Sequence, residues 1–137
     1  MKKLTYLVAL MILFSCGGSS NQHPASAEGF SQIEEELKLQ FGEEAYYTDL
    51  TITHNQAIGN IIGVTVTKEP ESLKMGQWNQ TQGNWKQNSD ITLEVPAGTS
   101  ASEYMFQLGT QFSLEKLGGL IETSMQQLKE EKNIENP

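Results

Sequence analysis

The apolar residues of this chain change their spacing twice, and that change bounds the fold before anything else does. In FSQIEEELKLQF, Phe30, Ile33, Leu37 and Phe41 recur at the three- and four-residue interval of an amphipathic helix. From Tyr46 onward the interval falls to two. Tyr46, Thr48, Leu50 and Ile52 fall on one face of a predicted strand, and Ile62, Val64 and Val66 fall on one face of the next. Beyond Ser113 the helical interval returns at Leu114, Leu117, Ile121 and Leu128. Helix, antiparallel meander, helix predicts an α+β fold, with both helices packed on one face of a four- or five-stranded sheet.

Local chemistry supplies the punctuation. Ser31 and Glu34 have the spacing of a capping box at the start of the first helix, and Gly42 is placed to end it. HNQAIGN holds turn-forming Asn and Gly between the first two strands. In KMGQWNQTQGNWKQN, Gln82-Gly83 sits at the centre of a second hairpin with Trp78 and Trp85 on either side. A one-residue slip would move one indole to the opposite face, so the sequence leaves open whether the two share one. Ile91, Leu93 and Val95 alternate until PAGTSAS interrupts, and Tyr104, Phe106 and Leu108 alternate again as a candidate fifth strand. Ser113 is a plausible N-cap for the last helix. Gly118 and Gly119 inside that helix each cost about 1 kcal/mol and are expected to let its backbone lie close to the sheet.

The chain has one cysteine, Cys16. Ahead of it Lys2 and Lys3 form a positive start and Leu4 to Phe14 an apolar stretch, of signal-peptide length and too short to span a bilayer as a helix. Leu13, Phe14, Ser15 and Cys16 resemble the lipobox of bacterial lipoproteins, in which a leucine, a variable residue and a small residue precede the acylated cysteine. Phe14 departs from the usual small or aliphatic second position. The resemblance implies removal of residues 1–15 as a signal peptide, acylation of Cys16, and anchorage to the lipid bilayer, which two or more acyl chains make stable. It also implies outer-membrane placement, since Gly17 lacks the aspartate that often retains such proteins at the inner membrane. The first acid after the cysteine, Glu28, lies too far along for a surface-export signal, which favours a domain in the periplasm.

Residues 16–29, GGSSNQHPASAEG behind Cys16, are rich in Gly and Ser without hydrophobic periodicity and read as a flexible tether. A coil of that length spans about 20 Å. Residues 30–133 then form a single domain, long enough for one core, and the polar residues 134–137 read as a disordered tail. With Cys16 acylated, no thiol is left for a disulfide, so the domain must be held by packing.

All nine basic residues are lysines, against seventeen acids, and loss of Lys2 and Lys3 leaves a net charge near −10. That balance argues against nucleic acid as a partner, because its binding rests on phosphates neutralised by Lys and Arg. Two histidines occur, His23 in the tether and His54 at a strand end, and neither has a His, Cys or paired-acid neighbour at metal-ligand spacing. No G-x-S-x-G is present, and Glu34, Glu35, Glu36, Glu43 and Glu44 lack a calcium loop and read as solvated faces. The sequence predicts neither catalytic residues nor a metal or other cofactor.

Two binding roles remain. One is an interaction module that serves an envelope protein complex as an accessory subunit. The other is recognition of a glycan or small polar ligand at the second hairpin. There Trp78 and Trp85 could stack on a sugar while Asn79 and Asn84 bond its hydroxyls. Ordinary core preference favours the competing arrangement, with the indoles packed beneath the helices.

Overall fold

The computed structural model describes residues 22–134. Its elements are α1 (Ala27–Phe41), β1 (Tyr46–Asn55), β2 (Gly59–Thr67), β3 (Lys74–Thr81), β4 (Asn84–Thr92) and α2 (Leu114–Lys132). The four strands pair antiparallel in chain order, β1-β2-β3-β4. The fold is the expected α+β, with four strands. Tyr104 closes a 3-10 turn at Ala101–Tyr104, and Phe106 makes a single antiparallel bridge to Tyr47, so the candidate fifth strand does not form. Gly109, at a φ of +83°, turns the chain too soon for the pairing to extend.

Helix α1 buries Phe30, Ile33, Leu37 and Phe41 against Val64, Val66 and Ile62 of β2, and Leu114 of α2 joins the same core. The helices run antiparallel: the Leu114 N–H donates to Glu34 Oε2 at 2.8 Å, while the Ala27 N–H donates to Glu122 Oε2 at 3.3 Å. Glu34 thus satisfies the amide end of α2, where a carboxylate also suits the helix dipole. Its other oxygen pairs with Lys38 one turn on, at 2.8 Å. Ser113 caps α2 as expected, accepting from the Lys116 N–H.

Three readings change. The N-cap of α1 is Ser26, whose Oγ accepts from the Gly29 N–H at 3.1 Å, so the helix starts inside the stretch read as tether. Ser31 and Glu34 lie within the helix instead of capping it. In β1, Tyr47 pairs with Val66 and Leu50 with Val64, with Thr48 as the extra residue of a bulge. That bulge turns Tyr47, and not Tyr46 or Thr48, to the same side as Leu50 and Ile52, where Tyr47 is 1% exposed. Finally, Gly118 brings α2 against the start of α1 and not against the sheet. A Cβ there would collide with the Ser26 carbonyl oxygen and the Phe30 ring.

Among the described residues, a second cluster covers one end of the face away from the helices. Met75, next to inward Gly76, packs there with Ala101, Met105, Ile91, Leu93 and Val95 beneath the segment that follows β4. The Glu71 carboxylate ties that segment down, accepting from Ser100 Oγ and from the Ala101 and Ser102 N–H groups. Those bonds, Ser100 first, hold its pKa below the usual carboxylate range.

Candidate functional site

The second hairpin forms where the sequence places it, and the structure fixes its turn type. Gln82 and Gly83 both adopt positive φ, 51° and 76°, the geometry of a two-residue type I′ loop. Across it Gln80 pairs with Trp85 and Trp78 with Gln87, with a bulge taking up Asn88. Trp78 also pairs with Val64, which fixes it on the helix-facing side, and Trp85 lies on the same side opposite buried Gln80. Both indoles meet Phe41 edge-on, with ring centroids 5.6 Å away for Trp78 and 5.0 Å for Trp85. The Trp78 indole lies over Gly76, where a Cβ would collide with its Nε1.

The four hairpin residues proposed to bind ligand therefore do not converge. Trp78 and Trp85 are half-buried in the core, Asn79 is exposed on the opposite face, and Asn84 donates to the Gln82 carbonyl within the turn. Edge contact with Phe41 holds both rings on the helix-facing side of this hairpin, away from Asn79. Cys16 lies outside the described residues.

The histidines are structural partners. His23 sits against α1, Nδ1 2.8 Å from Gln32 Oε1 and Nε2 2.9 Å from Glu36 Oε1. Its carbonyl accepts from Asn60 Nδ2 at 3.0 Å, and Asn60 Oδ1 lies 3.0 Å from His54 Nδ1. Gln80 Nε2 donates to the second Glu36 oxygen at 3.4 Å. Asn60 and Gln80 are 2% and 4% exposed, so this network satisfies amides that would otherwise be costly to bury. With both ring nitrogens engaged, His23 has none to offer a substrate. Among the described residues, no three His, Cys, Asp or Glu side chains cluster to hold a metal ion.

The feature that sequence reading missed is an apolar cleft of about 570 Å³ between β1 and α2. Phe30, Leu50, Ile52, Phe112, Leu117 and Ile121 form most of its wall, with Thr48, Asp49 and Gln111 as its polar contributors. Its size and lining suit an apolar group with few directed hydrogen bonds. The helical stripe signalled Leu117 and Ile121 but not the gap between them and the sheet edge. No protein-family model matches the chain, and no curated protein or solved structure matches it. The chemistry must be argued from the residues.

Beside the cleft, Tyr47 stacks on Phe106 with ring centroids 5.8 Å apart, and its hydroxyl is buried with no hydrogen-bond partner among the described residues. Burial, and secondarily the Glu34 carboxylate, hold this phenol well above the usual phenolic pKa. The folded state favours the neutral form. Its contribution is intact below the ordinary phenol pKa near 10 and is lost as pH rises past it, when the unfolded chain ionises first. Tyr47→Phe is expected to stabilise the domain by about 1 kcal/mol by removing an unpaired buried hydroxyl. It should also weaken the alkaline loss of stability. Urea titrations at neutral and alkaline pH check both, and a destabilised variant would reveal a partner for the hydroxyl.

Proposed function

We propose that this protein is a bacterial lipoprotein, anchored in the cell envelope by acylated Cys16, whose domain serves an envelope protein complex as a noncatalytic accessory subunit. The observation that carries the reading is the run Leu13-Phe14-Ser15-Cys16 behind two lysines and an apolar stretch. Among the described residues no helix is long and apolar enough to cross a membrane. Membrane attachment would then fall to the acyl chains, with the outer membrane as its site and the domain in the periplasm. The interaction role is supported by the cleft beside α2 and by Phe112 at its edge, 39% exposed, a large apolar group facing solvent. Engagement of both His23 ring nitrogens weighs against a catalytic role for that side chain.

Cys16→Ser is expected to abolish palmitate incorporation and to move the protein from the detergent phase to the aqueous phase. Full labelling of that variant would remove the anchor. Wild-type protein purified from its own membranes in mild detergent is expected to bring a stoichiometric protein with it, identified by mass spectrometry. A solitary protein would remove the accessory-subunit reading and leave the anchor standing.

A further inference from the structure

From His23 on, the segment read as a loose tether is built into the domain. His23 is clamped between Gln32, Glu36 and buried Asn60. The next residues are fitted so closely that a Cβ at Gly29 would collide with the Pro24 carbonyl, and one at Gly118 with the Ser26 carbonyl. Among the described residues, His23 is the first that is fixed to the domain. Seven residue steps separate it from Cys16, which at about 3.3–3.6 Å each reach no more than about 25 Å. The ten residues of β1 alone extend about 30 Å. A domain tied so short cannot present every side to the bilayer equally.

Asn60 places the clamp. It pairs with His54, one step from the β1–β2 turn, and the β3–β4 turn lies at the same end of the sheet. Leu50 to Thr67 and Met75 to Trp85, which include both turns, contain no Asp, Glu, Lys or Arg. The segments that join the strands at the other end are acidic, with Glu43 and Glu44 before β1, Glu69 and Glu71 between β2 and β3, and Glu94 after β4, and Lys68 and Lys74 among them, while Lys86 is the charged residue nearest the β3–β4 turn. Glu36, which touches the clamp, is paired with His23.

We propose that the domain stands on the phospholipid bilayer that holds its anchor with these two uncharged turns toward the headgroups and its acidic end away. The proposal rests on acylation of Cys16. A chain near −10 is repelled by anionic headgroups within a Debye length of about 8–10 Å, and this orientation turns the loop carboxylates Glu43, Glu44, Glu69, Glu71 and Glu94 away from them, while Glu122, nearer the clamp, accepts from the Ala27 N–H. The turns supply Asn55, Gln56, Gln82 and Asn84, neutral groups that keep their hydrogen bonds in the wet headgroup layer.

The test uses lipidated full-length protein in phosphatidylethanolamine vesicles with a minor share of phosphatidylglycerol and a headgroup-nitroxide lipid. Because Cys16 is acylated, Gln56→Cys and Glu44→Cys variants each offer one thiol for a fluorophore, at the turn end and the acidic end. Quenching is expected to be several-fold stronger at position 56. A Gly-Ser insertion between Gln22 and His23 that doubles the tether should bring the two positions toward equality. Equal quenching without the insertion, or stronger quenching at 44, overturns the orientation while the anchor stands. A ratio unchanged by the insertion overturns the tether's part in setting it. Protein that takes up no palmitate and fails to float with the vesicles overturns anchor and orientation together.

Discussion

Phe41→Ala is expected to destabilise the domain by about 3–5 kcal/mol, the range for removing a buried aromatic ring. Phe41 is 6% exposed and closes the end of α1 over the sheet. Its ring meets Tyr47 at 6.5 Å as well as both tryptophans, so one substitution removes three edge contacts along with the buried area. The indoles would then lie open at the helix-facing side of the second hairpin. Tryptophan emission in the folded variant should shift to the red, and the urea midpoint should fall. An unchanged emission maximum would show that Phe41 does not hold the rings, and would reopen the hairpin as a stacking surface for ligand.

Gly118→Ala is expected to cost about 3 kcal/mol, whereas Gly119→Ala is expected to stabilise the domain by about 0.5–1 kcal/mol. Neighbours in one helix should thus respond in opposite directions. At Gly118 the added Cβ would collide with the Ser26 carbonyl oxygen, which cannot withdraw because the Phe30 N–H donates to it at 3.0 Å. At Gly119 the new atom would meet the Ala27 Cβ at 3.8 Å, an ordinary contact, so the gain in helix propensity is unopposed. Thermal unfolding of the two variants separates them. Equal effects would mean that the helices are not held as close as the Gly118 contact requires.

These glycines mark the limit of what the sequence discloses. The pair at 118 and 119 signals a close approach, but nothing local says which glycine makes it or what comes near. The same holds for the candidate site. Trp78, Trp85, Asn79 and Asn84 were legible as a cluster in the chain, but the pairing register of β2, β3 and β4 and a ring on another element decide where they point. The cleft beside α2 had no signal at all, since it is a gap between elements.

The sequence by itself determined the α+β order, the buried stripe of α1, the inward face of β2 and the place of the turn at Gln82-Gly83. Each depends on a period or a backbone preference that a few adjacent residues carry. Only the tertiary structure decided that Thr48 is bulged, so that Tyr47 enters the core, that Ser26 caps α1, and that His23 is clamped. Two of those depend on a partner distant along the chain, Val66 across the sheet for Tyr47 and Asn60 for His23, while the Ser26 cap is a local bond to the Gly29 N–H in a backbone that Gly118 packs against. Periodicity is a local property and can be read in one dimension, whereas register and close approach exist only between segments already brought together.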